Sequence, residues 1–176
     1  MTDKPLTDRI ALVTGASRGI GAALARRFAG EEEGYTYSRF TNPTVTSMEQ
    51  RLAALEGTEA CIGTASGMAA IVGLLMTKLS AGDEVVFFDE CYHRSREFCA
   101  KHLARFGVVT HQVKTGDFDA MDAAINDRTK LIVSESPTNP HLTVIDLEQF
   151  VALGKERHVE TLIDATLATP FNVRPI

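Results

Sequence analysis

Apolar residues along the chain alternate between short unbroken runs and longer stretches with helical spacing. Ile10–Val13, the VVFF run after Gly82, Val108–Val113, Leu131–Ser134 and Thr161–Ile163 are runs of the kind that fit strands buried on both faces. Between them the spacing predicts helices: Ala22–Phe28, the amphipathic TVTSMEQRLAALEG ending at Gly57, SGMAAIVGLLMTKL, about Arg94–Phe106, Phe118–Ile125 and Leu147–Glu156. Ala60–Gly63 reads as a further brief strand entering the second of the long helices. Strands that alternate with helices imply an α/β fold with a mostly parallel sheet flanked by helices. No low-complexity tract and no internal repeat interrupts this order.

Length limits what this pattern can build. At 176 residues and 44% hydrophobic content the chain suffices for one ordinary domain and is too short for two full catalytic domains. Its net charge of -5 removes the clustered excess of Lys and Arg that nucleic acid or an anionic membrane surface attracts, so neither is expected as a partner. Cys61, Cys91 and Cys99 form no C-x-x-C pair, which indicates neither a disulfide framework nor a zinc knuckle and fits a reducing cytoplasm. The five histidines show no metal-ligand spacing, so no metal is expected. Met68–Met76 covers about half of what crosses a bilayer, and MTDKPLTD lacks the pattern of a secretory signal; the expectation is a soluble, unprocessed, cytoplasmic chain.

The first chemistry-bearing motif is TGASRGIG, which sets Gly15, Gly19 and Gly21 between a strand and a helix. Glycines there permit close backbone approach to a pyrophosphate, and the helix start offers N–H groups and positive dipole. The stretch resembles the cofactor turn of short-chain dehydrogenases. That resemblance implies that Gly15, Gly19, Ile20 and Gly21 line a nicotinamide dinucleotide, with Ser17 and Arg18 near its adenosine phosphate end. Two features argue against hydride transfer. Glu31–Glu33 and Gly34 interrupt the pattern where a second strand is needed. The Tyr-x-x-x-Lys pair of that family is also absent, since Arg39, Thr41 and Arg96 stand four beyond Tyr35, Tyr37 and Tyr92. The seam is placed between Ala25 and Gly30, giving a segment 1–29 of this type and a segment 30–176 of another, with NAD(P) as the weaker cofactor alternative.

Downstream, four motifs follow in order: GYTYSRFTNPTVTSMEQRLAALEG, TASGMAAI, SESPTNP and DATLATPFNVRP. Ser66, Gly67 and Met68 sit at a turn into a helix, where free N–H groups can grip a phosphate. Tyr37 and Arg39 lie in a polar segment, and an arginine can contact a phosphate with two charge-assisted bonds. Asp164 follows the apolar TLI, at the end of a strand where ligands of open α/β sheets bind. A carboxylate there can keep a pyridine nitrogen protonated; the alternative for Asp164 is a turn cap.

Taken together the motifs resemble the Cys/Met-metabolism family of pyridoxal-phosphate enzymes, which includes cystathionine γ-synthase, cystathionine γ-lyase, methionine γ-lyase and the O-acylhomoserine sulfhydrylases. GEEEGYTYSRFTNPTV is most similar to the O-succinylhomoserine sulfhydrylase version, and DECYHRSREFC to a cystathionine-synthase relative. The resemblance implies the large domain of a fold-type I enzyme, here incomplete, with pyridoxal 5'-phosphate as cofactor and an O-acylhomoserine or cystathionine-like amino acid as substrate. It implies that Gly67 and Met68 hold the phosphate, and that Tyr37 and Arg39 reach the phosphate of a neighbouring subunit, hence a homo-oligomer. The resemblance further implies that Tyr92 stacks on the ring and helps move protons, that Asn139 touches the phenolic oxygen, that Asp164 faces the ring nitrogen and that Thr166 lies near the ring face. Glu135, His102, His111, His141 and His158 are read as structural.

The family's covalent lysine belongs to a segment after DATLATP, and no such segment occurs before Ile176. Lys4, Lys78, Lys101, Lys114, Lys130 and Lys155 lie in other contexts. The expectation is therefore a truncated, chimeric chain that retains cofactor contacts but lacks transferase or lyase activity by itself.

Overall fold

The computed structural model describes Ser38 and residues 42–175, so the dinucleotide turn Gly15–Gly21, Tyr37 and Arg39 lie outside the described residues. The chain divides into two compact units, Met1–Leu52 and Ala53–Ile176.

Helix α1, Pro43–Glu56, starts where Asn42 Oδ1 accepts from the N–H groups of Thr44 and Val45 at 2.9 and 3.3 Å, with proline at the first helical position. It stops at Gly57, whose φ of +77° an L side chain rarely adopts. Val45, Met48, Leu52 and Leu55 fall at helical spacing, yet none is buried. Helix α2, Gly67–Lys78, is capped by Ser66, whose side chain accepts from the Ala69 N–H at 3.1 Å.

Four strands follow: β1 (Glu84–Phe88), β2 (Val109–Val113), β3 (Thr129–Glu135) and β4 (Glu160–Asp164). They pair in the order β2-β1-β3-β4, and every pair is parallel. The expected parallel α/β sheet is present. β1 is buried at all five positions, as its EVVFF sequence requires of a strand covered on both faces. Helices α3 (His93–Glu97), α4 (Phe118–Ala124), α5 (Leu147–Arg157) and the short α6 (Thr169–Asn172) complete the elements. Phe88 joins α4 and α5 through rings of Phe118 and Phe150 at 5.4 and 6.1 Å.

Two expectations fail. Residues 60–63 form no strand, and Ile62 is 84% exposed, so this stretch has no sheet to join among the described residues. The single helix expected over about 94–106 is instead α3, then a π turn at Phe98–His102, then a 3-10 turn at Leu103–Phe106. The widened and then tightened turns let Ser95, Cys99 and Leu103, spaced four apart, all be buried before Gly107 ends the segment.

The amino ends of the strands carry a polar clamp. Glu84 is 1% exposed and accepts from His111 Nε2 at 2.6 Å and Asn126 Nδ2 at 2.8 Å, and it pairs with Arg128. These bonds tie the starts of β1 and β3 to the middle of β2.

Candidate functional site

Side-chain alternation and strand register assemble the opposite end of the sheet. Built onto Gly154 of α5, a Cβ would meet Thr161 Cγ2 at 2.4 Å and Ile132 Cδ1 at 3.8 Å, so Ile132 and Thr161 face α5. The pairs Val133↔Leu162 and Glu135↔Asp164 then lie on the other face. Helix α2 lies on that face: Lys78 Nζ at its C-terminus bonds Glu160 at 2.9 Å, at the start of β4, while Gly67 at its N-terminus shares a cleft with Asp164, at the end of β4. The helix thus runs antiparallel to β4 and directs its positive end towards the carboxyl ends of the strands.

That cleft has a volume of about 670 Å³ and includes Gly67, Ala70, Ile71, Asp164, Ala165 and Thr166 in its lining. At Gly67 nothing stands within 4 Å of where a Cβ would be, and the first N–H groups of α2 have no partner inside the helix. Asp164 is half-buried, and its Oδ1 accepts from the Thr166 N–H at 3.0 Å and the Thr166 hydroxyl at 2.5 Å. Oδ2 is the remaining acceptor. The turn-cap alternative for Asp164 is therefore met by one oxygen, leaving the other for a ligand.

A second feature marks this end. The chain leaves β1 for β2 on one side, whereas β3 lies on the other, so the loops after β1 and β3 part over a topological switch point, where open α/β sheets bind ligands. One wall is Asp89–Tyr92, the other Ser136–Thr143, and side chains stitch them together. Glu135 Oε2 accepts from the Tyr92 N–H at 2.6 Å, and the Thr138 hydroxyl donates to Glu90 Oε2 at 2.8 Å. Thr138 Oγ1 also accepts from the Thr143 N–H at 3.0 Å, which closes the second wall on itself. Hydrogen bonds from Thr138 and Thr143 hold the Glu90 carboxyl below the usual carboxylate range. Burial, and then the negative charge of Asp164, push Glu135 the other way, above that range. Burial also pushes the Cys91 thiol up to about 12, which makes it an inert packing group.

The expected site residues that lie among the described residues each have a place. Gly67, Asp164 and Thr166 meet in one cleft. Ser66 spends its oxygen on capping α2. Met68 is half-buried, and its Sδ accepts from the Ser95 hydroxyl at 3.8 Å, which links the start of α2 to α3. Tyr92 is half-buried at the start of α3, its ring centroid 4.9 Å from that of His93. Asn139 is exposed on the loop after β3 and does not line the cleft. Glu90 and Thr138 escaped sequence reading; the one available signal was a position just past the end of a strand. Among the described residues no group of His, Cys, Asp and Glu could hold a metal ion, and no helix is long and apolar enough to cross a membrane.

The family model for Cys/Met metabolism PLP-dependent enzymes matches residues 11–176. The chain belongs to this family. Its cofactor is pyridoxal 5'-phosphate, and the structure fits that group: an open glycine at a helix N-terminus for a phosphate, and a carboxylate oxygen at a strand end for a ring nitrogen. Family relatives include the L-methionine gamma-lyase of Fusobacterium nucleatum subsp. polymorphum, 41% identical over 155 residues, 86% of this chain and 38% of that protein. The O-succinylhomoserine sulfhydrylase of Pseudomonas aeruginosa is 37% identical over 155 residues, 88% of this chain and 38% of that protein. The crystal structure of cystathionine gamma-lyase from Lactobacillus plantarum complexed with L-serine matches with a TM-score of 0.78 at 35% identity, covering 82% of this chain and 38% of that one. The chain thus spans about 38% of the length of these family members, and the described sheet is that of the fold-type I large domain.

Proposed function

We propose that this chain is the cofactor-cradling portion of an enzyme that eliminates or replaces the γ-substituent of an O-acylhomoserine or cystathionine-like amino acid. The observation that carries this reading is the meeting of Gly67 and Asp164 in one cleft at the carboxyl end of a parallel sheet. Pyridoxal phosphate, when bound, supplies an electron sink for the carbanion left by removal of the α-proton. The chain's own residues do the rest. Gly67 and Met68 would present N–H groups to the phosphate, and Asp164 Oδ2 would hold the proton on the ring nitrogen. Tyr92 would stack on the ring, Thr166 would lie near its face, and Asn139, exposed on the loop after β3, would donate to the phenolic oxygen. Tyr37 and Arg39 would serve the phosphate of a second copy, which makes a homo-oligomer the working form. Free, buried Cys91 and Cys99 suit a reducing compartment such as the cytoplasm.

None of the described lysines suits the covalent role. Lys78 bonds to Glu160 and Lys130 to the Asp127 carbonyl, both at the amino ends of the strands, and Lys101 pairs with Glu97. Lys114 follows β2, three positions from β4 in the sheet and so roughly 14 Å away, and Lys155 is exposed in the last turn of α5, just ahead of the amino end of β4. We therefore propose that these 176 residues bind the cofactor without a covalent bond and lack turnover alone. The test is titration with pyridoxal phosphate, followed by borohydride reduction and peptide mapping. Saturable binding lost in Asp164→Ala, with no single lysine labelled stoichiometrically, supports the reading. No binding at about 1 mM, where a ligand still gains roughly 4 kcal/mol, overturns it.

For residues 1–29 we propose a short-chain-dehydrogenase-like strand, turn and helix fused to the rest. TGASRGIG supports this, although the family match reaches back to Ala11 and so includes the same glycines. Binding of NAD(P) that Gly15→Val removes would sustain it; absence of such binding would leave the glycines to the family match.

A further inference from the structure

Glu135 is the buried acid at the switch point, and neither phosphate nor ring contact gives it a task. It ends β3, is 2% exposed, and stands beside Asp164 in register on the same face of the sheet. A carboxyl in that position is costly, because burial and a second acid both disfavour its charge. A purely packing role would be served better by an apolar side chain. What the carboxyl does is accept the backbone N–H of Tyr92 at 2.6 Å. Tyr92 sits just ahead of α3 with φ -46° and ψ 122°, a non-helical residue whose side chain makes no capping bond. Its ring direction follows from where its backbone is held. The preceding Cys91 thiol donates to the Val133 carbonyl at 3.7 Å, a weak contact, so the short bond to Glu135 is the stronger tether of this segment to β3.

We propose that Glu135 is a positioning residue: by accepting the Tyr92 N–H, its buried carboxyl sets where the Tyr92 ring stands relative to Asp164. This rests on the reading of Tyr92 and Asp164 as cofactor contacts. The bond joins the ring-stacking wall to the strand next to β4, so the tyrosine and the ring-nitrogen carboxylate are held through one strand, β3. Asp164 from β4 acts on Glu135, while Glu135 and Arg96, whose Nε donates to the Cys91 carbonyl at 3.0 Å, act on the Cys91 thiol of the tethered segment.

The test uses three variants of the full chain. Glu135→Gln keeps a carbonyl acceptor and removes the charge; Glu135→Met keeps the bulk and removes the acceptor; Glu135→Ala removes both. Amide exchange at Tyr92, read by NMR, reports the tether directly. Pyridoxal phosphate affinity and the absorption band of the bound ring report its use. The Tyr92 amide is expected to be protected in the wild type and Glu135→Gln, and to exchange about tenfold faster or more in whichever of Glu135→Met and Glu135→Ala folds. Affinity should fall by roughly the same factor and return in Glu135→Gln. Unchanged Tyr92 protection in the variants without an acceptor overturns the proposal, and so does unchanged affinity and band position when that amide has been freed. If the wild type does not bind pyridoxal phosphate, the functional reading fails while the amide measurement still decides whether Glu135 positions Tyr92.

Discussion

Gly67 allows binding to be separated from folding at a single residue. A methyl group there would meet no atom within 4 Å, so Gly67→Ala should unfold at nearly the wild-type temperature, whereas it would stand between the helix N–H groups and a phosphate. We expect pyridoxal phosphate affinity to drop by about tenfold or more with melting unchanged, as measured by titration and calorimetry on the same sample. Glu135 gives the complementary prediction. Its folded carboxyl titrates above the usual range, so its contribution is complete in acid and is lost as pH rises through the folded value. Glu135→Gln should therefore melt higher than the wild type at neutral pH, with the gain vanishing below about pH 4. Gly67 and Asp164 were legible in the sequence because each directly adjoins a periodic apolar run. The role of Glu135 was not, because its partner is a backbone N–H 43 residues away, and any residue type presents one.

Among the elements, α5 and β4 are packed too closely for an ordinary helix rule. Alanine is a better helix former than glycine by about 1 kcal/mol, yet a Cβ at Gly154 would lie 2.4 Å from Thr161 Cγ2 and 2.9 Å from the Val159 carbonyl oxygen. Overpacking wins: Gly154→Ala should destabilise the chain by roughly 1–3 kcal/mol in urea unfolding, and Thr161→Ser in the same background should recover part of it. At the amino ends of the strands, hydrogen bonds from Asn126 and His111, then the charge of Arg128, hold the Glu84 carboxyl below its usual range. Its contribution is present at neutral pH and is lost as pH falls through the folded value. Glu84→Gln should thus lower the melting temperature at pH 7 and converge with the wild type in acid. The helices α1, α2, α4 and α5 were readable from caps and spacing, and β1 to β4 from apolar runs. The π and 3-10 turns after α3 were not, because three buried residues four apart satisfy an α-helical template equally well.

Across the whole molecule, pairing and burial predict a gradient of protection. β1 and β3 are paired on both sides and buried, while β2 and β4 each have one partner among the described residues and exposed positions. Hydrogen exchange by mass spectrometry should rank β1 and β3 slowest, then β2 and β4. Equal protection of β4 with β3 would show that the free edge of β4 is covered. Parallel pairing was legible from the alternation of strands and helices, but the strand order was not: nothing local in the sequence says that β3 returns past β1 instead of extending beyond β2.

That return has a consequence in time. Every ladder in the sheet is parallel, so no strand pairs through a tight turn, and Phe87 meets Val133 only after two helices and a whole strand lie between them. Loop closure must be paid before any central contact is made, which places such topologies among the slower folders. As the chain emerges during synthesis, EVVFF remains without its second neighbour until β3 has left the ribosome, and that interval is when the growing chain is most exposed to misassociation.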